Sequence, residues 1–385
     1  MGNQTEIISK IIRERYGNAD FIPLHSPYFG GNEKKYLNEC IDSTFVSSVG
    51  AFVDQFEAEI RKITGSKFAI AVVNGTSALH TALILAGVKR DDEVISQSLT
   101  FVATTNAISY IGANPVFIDV DKDTLGLSPE KLADFLAQNT HQDDAGNCVN
   151  NNTGRVIRAC VPMHTFGLAL RIEELVKVCR NHNIKVVEDA AESLGTYVDG
   201  KHTGVFGDLA VFSFNGNKVA TSGGGGAIIT NDDNLGKLAK HITTTAKTPH
   251  PYEFFHDQVG YNYRMPNINA ALAVAQLEQL DEIVANKRET AQFYHERFLN
   301  NGVNFVAELE NTKSNYWLNT VLLDNETERD SFLHGTNQSG IMTRPIWTLM
   351  NKLPAFEMMQ CDDLSNSEWL EKRIVNIPSS FISNK

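Results

Sequence analysis

The sequence has no uninterrupted apolar run of eighteen or more residues, so it offers no segment for a transmembrane helix. The continuous apolar core of a signal peptide is missing too, because Glu6, Lys10, Arg13, Glu14 and Arg15 interrupt the stretch from Met1 to Asp20. A cytoplasmic protein with no membrane partner is expected. Basic clusters are lacking as well. With a formal net charge of -12 and no stripe of Lys and Arg, the chain carries no nucleic-acid footprint. An anionic substrate would need a locally positive pocket inside an acidic molecule. Cysteine is sparse: Cys40, Cys148, Cys160, Cys179 and Cys361 are odd in number and form no CxxC pair, so free thiols are expected.

What is present is the balance of a globular protein, 42% hydrophobic and 21% charged over 385 residues. That length favours one large domain plus a smaller one. A short amphipathic helix is predicted at 6–16 and another helix at about 33–43. Strands are then expected at 68–73, 92–98, 115–120, 156–162, 184–188, 210–214 and 226–230, most of them separated by helical stretches. This alternation argues for βαβ units and a mostly parallel sheet. The polar stretch 138–154 reads as an inserted surface loop. Apolar residues recur at helical spacing over 265–298, long enough to bridge two domains, and a strand at 316–323 and a helix at 328–337 follow. The expected organisation is an N-terminal helical extension (1–20), a large α/β domain (21–245), and a linker helix with a small α+β domain (246–385).

Several polar residues fall at the carboxyl ends of predicted strands, where open α/β sheets bind ligands: Asn74-Gly75-Thr76, His164, Asp189 and Ser213. Asn74-Gly75-Thr76-Ser77 leaves a strand and opens a helix, so free N–H groups, hydroxyls and the helix dipole suit a phosphate or carboxylate. The same residues could serve only to cap the helix. Asp189 ends an apolar strand, and a buried carboxylate there needs a positive or hydrogen-donating partner. Phe101 could present a flat face to a planar ring, or simply join the core. Lys218 follows Ser213-Phe214-Asn215-Gly216-Asn217 and faces Gly223-Gly224-Gly225-Gly226, a poor fit to surface decoration. Lysine so placed can form a Schiff base, and the glycines leave room for a cofactor.

Taken together, Asn74-Gly75-Thr76, Glu188-Asp189-Ala190-Ala191-Glu192, Ser213 to Lys218 and Gly260-Tyr261-Asn262-Tyr263-Arg264 resemble, in order and spacing, the DegT/StrS family of pyridoxal-phosphate (PLP) dependent sugar aminotransferases. The resemblance covers roughly residues 20–385. It implies fold type I, with a large domain built on a mostly parallel central sheet flanked by helices and a small α+β C-terminal domain. It also implies that Lys218 bonds to the cofactor and that Asp189 pairs with its pyridine nitrogen. Gly75, Thr76 and Ser213 would hold the phosphate, Phe101 would stack on the ring, and Asn262 would reach the phosphate of a neighbouring subunit in a homodimer. Glu192 stands near the phenolic oxygen, where many relatives carry His or Gln.

The stretches Val46 to Gly50, Met163 to Gly167, Tyr316 to Asn319 and Thr343 to Trp347 look like the LegC-type branch. That branch implies amination at C4 of a UDP-linked 4-keto-6-deoxy-N-acetylhexosamine by L-glutamate, on routes to bacillosamine or legionaminic acid. A 3-aminotransferase, a GDP-linked 4-aminotransferase and a non-catalytic nucleotide-sugar sensor are the alternatives. His164 and Arg344 are candidate substrate contacts, against readings as a satisfied strand-end histidine and a surface ion pair. Asp119, Asp121, Asp123 and Glu130 have calcium-loop spacing, but Thr124 stands where the turn needs Gly, so no metal site is expected.

Overall fold

A computed structural model describes residues 3–383. All seven strands predicted before residue 245 form, and they join one sheet in the order Phe68–Val72, Gly226–Thr230, Leu209–Ser213, Lys185–Asp189, Ile157–Val161, Glu93–Gln97, Asn114–Ile118. Only Gly226–Thr230 runs antiparallel to its neighbours; the other pairings are parallel. The strands are buried almost throughout because helices cover both faces. Alternate side chains part cleanly: Leu209 and Val211 join one core with helices Gly75–Leu85, Val102–Tyr110 and Asp233–Thr243, while Ala210 and Phe212 join another with helices Ala51–Thr64 and Asn267–Leu277. Each fully buried Val, Leu or Phe contributes on the order of 2 kcal/mol. The architecture is thus the expected α/β one, with the parallel strands all ending at one edge.

The smaller lobe holds an antiparallel sheet in the order Asn304–Phe305, Asn319–Leu322, Ile374–Ile377, Arg344–Pro345. Helix Asn3–Tyr16 belongs to this lobe rather than forming an extension. Ile8, Ile11 and Ile12 pack with Tyr294, Phe298, Phe332, Val375 and Ile377, because an isolated amphipathic helix has no other face to bury its stripe against. The lobe also returns to the large domain: Met350 donates its N–H to Ser98 O at 3.0 Å, and Met350, Phe356 and Leu364 pack on Phe117.

Two further elements differ from expectation. The stretch read as a loop forms a β-hairpin, Thr140–Gln142 with Cys148–Asn150, whose turn is closed by Asp143 Oδ1 accepting the N–H groups of Ala145 and Asn147. The long helical stretch is two helices, Asn267–Leu277 and Leu280–Leu299. At the break, Gln276 and Gln279 both donate to Glu33 Oε1, at 2.7 and 2.8 Å, which ties the interrupted stretch to one buried carboxylate.

Candidate active site

The carboxyl edge of the large sheet opens into a cavity of about 350 Å³. Its lining includes Gly75, Thr76, Phe101, Asp189, Glu192, Ser213 and Lys218, so seven of the sequence-predicted residues converge on one space.

Asn74 opens helix Gly75–Leu85 from an extended conformation, and its Oδ1 accepts the Ser77 N–H at 2.8 Å. That cap contributes about 1 kcal/mol and leaves the helix start, at Gly75 and Thr76, facing the cavity with its positive dipole end. Capping and anion binding are therefore compatible here. Ser213 ends the neighbouring strand, and a Cβ at Gly75 would lie 2.9 Å from the Ser213 Cβ. A Cβ at Gly226 would lie 2.5 Å from the Asn74 carbonyl oxygen. Glycine at both positions lets the three segments close around the helix start.

Asp189 is 3% exposed. Its Oδ2 accepts from Thr104 Oγ1 at 2.7 Å and its Oδ1 from the Ala191 N–H at 3.2 Å. Burial pushes its carboxyl above the ordinary value of 3.8, and the Thr104 and Ala191 bonds and the Lys218 charge offset part of that. Such a group calls for a cation or an N–H donor in the cavity.

Lys218 stands across the cavity, its side chain 12% exposed, with Nζ 3.0 Å from Glu192 Oε1. The other Glu192 oxygen accepts the Phe166 N–H at 2.8 Å. Phe166 is buried in the left-handed region at φ 57°, a conformation that costs a non-glycine residue of order 1–3 kcal/mol and aims this N–H at the carboxylate. Burial raises the Glu192 carboxyl, with Lys218 and the Phe166 N–H opposing and Asp189 adding to the rise.

The remaining candidates lie elsewhere. His164 is fully buried: Nε2 meets Glu188 Oε2 at 3.0 Å, and Nδ1 accepts the Leu170 N–H at 3.4 Å. With both ring nitrogens engaged it is a structural strand-end histidine, and its substrate role is withdrawn. Its partner Glu188 would be raised by burial, but the His164 bond and the N–H groups of Gly204, Phe206 and Gly207 hold it below the ordinary value. Arg344 is exposed and donates to Asn337 Oδ1 and the Thr343 carbonyl, and it does not line the cavity of its own chain. Asn262 is exposed, with Oδ1 accepting twice from the Arg264 guanidinium at 3.1 Å, and it does not line the cavity of its own chain. Asp121 and Asp123 pair with Arg171, and Asp119 accepts three bonds from Asn366 and Ser367.

Sequence reasoning gave no role to Trp317 and Trp347, which close the cavity from the small lobe. It also passed over His25, whose ring lies 6.5 Å from that of Trp317 and whose Nδ1 has no partner among the described residues. Burial and the nearby Lys287 and Lys218 hold His25 well below its ordinary value, so it is neutral at pH 7. A larger groove of about 750 Å³ lies beside helix Leu280–Leu299, but its arginine, Arg288, is committed to Glu308 and to the Ser314 carbonyl.

A phosphate seat at a helix start, a buried carboxylate lacking a cation, and a lysine opposite it fit PLP in the donor set they offer. The sequence profile of the DegT/DnrJ/EryC1/StrS aminotransferase family matches residues 27–381. A GDP-perosamine synthase of Vibrio cholerae is 37% identical over 363 residues, 93% of this chain and 94% of that protein. The GDP-perosamine synthase of Escherichia coli O157:H7 is 36% identical over 360 residues, 93% of each chain. Among solved structures, DesI in the presence of its TDP-sugar product superposes with a TM-score of 0.81 at 26% identity, covering 94% of this chain and 88% of that one.

Proposed function

The chain belongs to the DegT/DnrJ/EryC1/StrS aminotransferase family, and from that premise we propose that it aminates C4 of a GDP-linked 4-keto-6-deoxy sugar, with L-glutamate as donor. It is a PLP-dependent nucleotide-sugar aminotransferase. The observation that carries the reading is the placing of Lys218 and Asp189 on one cavity with the start of helix Gly75–Leu85. The guanosine-linked substrate, an alternative at the level of sequence, is preferred to the uridine-linked one because two GDP-perosamine synthases match over 93% of the chain.

PLP, when bound, supplies an electron sink for the carbon that loses its proton. Gly75, Thr76 and Ser213 would hold its phosphate, and Phe101 would lie against its ring. An ionised Asp189 would hold a proton on the pyridine nitrogen, and that positive partner would in turn favour the ionised carboxylate. Lys218 would hold the cofactor and, with its amine free, would be the base that takes and returns a proton at Nζ. Glu192, 3.0 Å from Nζ, receives or returns that proton at Oε1. Donor and acceptor use one cavity in turn, which gives ping-pong kinetics.

Incubating the enzyme with glutamate and GDP-, UDP- or dTDP-linked 4-keto-6-deoxy sugars tests the substrate: glutamate consumption is expected with the GDP-sugar, and turnover of the UDP-sugar alone would reverse the preference. Borohydride should fix the cofactor on the peptide carrying Lys218. We also propose that Asn262 completes the site of a second copy in a homodimer. Asn262→Ala should weaken cofactor retention in the dimer, and unchanged retention would remove that role.

A further inference from the structure

The amine of Lys218 is held by surfaces from separate parts of the chain. Glu192 Oε1 lies 3.0 Å from Nζ, and the ring centroid of Trp317 lies 4.2 Å from the same atom. Trp317 is 4% exposed and fixed at three points. Its Nε1 donates to the Asn217 carbonyl at 2.6 Å, its N–H donates to Asn315 Oδ1 at 2.8 Å, and its carbonyl accepts from Lys287 Nζ at 3.1 Å. Lys287 is 1% exposed in helix Leu280–Leu299, and its other bond goes to the Ser379 carbonyl at 2.6 Å. Asn217 directly precedes Lys218, so the indole N–H pins the backbone beside the lysine while the indole face covers its amine.

We propose that Trp317 is the positioning residue for the Lys218 amine: its indole face and the Glu192 carboxylate form one receptacle in which the ammonium of Lys218 rests between proton transfers. The inference rests on the reading of Lys218 as the cofactor lysine. An aromatic face attracts a cation but accepts no proton. Glu192 is therefore the one proton acceptor in the receptacle, and the indole biases Lys218 toward the protonated form without competing for its proton. A proton taken from a substrate carbon would be held at Nζ with Glu192 Oε1 as its exchange partner, and the electron sink that PLP supplies when bound would take up the pair left behind, so no other reactant is needed. The other charged or titratable groups facing Lys218 are Asp189 and His25, with Lys287 behind the indole backbone.

The test is the pH dependence of acetic anhydride labelling at Lys218 in the full-length, cofactor-free protein, followed by peptide mass spectrometry. Trp317→Leu keeps an apolar side chain but removes the ring face. Its labelling midpoint should fall by about one pH unit, a roughly tenfold loss of proton affinity, and Trp317→Phe should restore most of it. A lower melting temperature with an unmoved midpoint would reduce Trp317 to packing and overturn the proposal. A second arm keeps the shape: in a Trp347→Phe, Trp369→Phe background, fluorinated tryptophan at 317 should lower the midpoint stepwise with each fluorine, and an unchanged midpoint there overturns the proposal even where Trp317→Leu does not fold. Absence of a borohydride-fixed cofactor on Lys218 would instead strike the functional reading, and the labelling midpoint would still report on Trp317.

Discussion

A buried carboxylate with no cation beside it is costly, and Asp189 meets that cost with two hydrogen bonds. The stronger, from Thr104 Oγ1 at 2.7 Å, comes from the first turn of helix Val102–Tyr110. Thr104→Val should raise the Asp189 carboxyl further and weaken cofactor binding about tenfold in equilibrium dialysis, while Thr104→Ser keeps the donor and the affinity. Equal affinity in the valine variant would show that Thr104 does not support Asp189. Asp189 and Lys218 were legible in the sequence because each closely follows an apolar strand. Thr104 was not, since a threonine inside a helix usually bonds to its own backbone, and only packing shows that this one reaches another strand's end. Trp317 fell within a stretch that the sequence singled out, yet its role, like that of His25, was hidden because both approach Lys218 from far along the chain.

The segments around the helix start at Gly75 touch one another without intervening side chains. A methyl group at Gly226 would press on Asn74 and on the Gly75 nitrogen at 2.5 to 2.9 Å, all backbone atoms. Gly226→Ala should cost about 1–3 kcal/mol, read as a lower melting temperature, and should cut phosphate affinity together with cofactor affinity. Stability lost with phosphate binding intact would separate the close approach from the anion seat. The seven strands of the large sheet and most helices were legible because period and burial agree along them, whereas the short strands at 304–305, 344–345 and 374–377 were not foreseen. The break between Asn267–Leu277 and Leu280–Leu299 was not, because the apolar spacing runs through it. Gln276 and Gln279 on either side of it bond to Glu33, 243 and 246 positions away, a contact that no local pattern announces. The hairpin at 140–150 was hidden by polar composition: its turn rests on Asp143, and only Cys148 and Asn150 of its strands are buried.

Across the molecule, Lys287 joins the long helix, the Trp317 segment and the C-terminal stretch through two carbonyls. Burial brings its amine down from 10.5 to about 7, so the folded state favours the neutral form, whose two N–H groups match two acceptors. The folded value lies below the unfolded one, so between them the unfolded chain binds a proton that the folded chain does not. Stability from this residue therefore rises with pH from about 7 to about 10.5 and is lost as pH falls through that window. Lys287→Met removes the dependence, and its melting temperature relative to wild type should improve on going from about pH 9.5 to about pH 6.5. A constant difference would mean that Lys287 does not change protonation on folding.

Helix Asn3–Tyr16 packs on Phe332, Val375 and Ile377, so the first-made and last-made parts of the described chain share one core while the large lobe occupies the interval between them. During synthesis helix Asn3–Tyr16 is made before the large sheet, yet Ile8, Ile11 and Ile12 meet their final neighbours only after residue 377 has been added. The large sheet, complete by Thr230, can assemble in the meantime. The nascent protein thus makes the strands of its large sheet before the roof that carries Trp317, and helix Asn3–Tyr16 must wait, apolar stripe uncovered, until Val375 and Ile377 have been made.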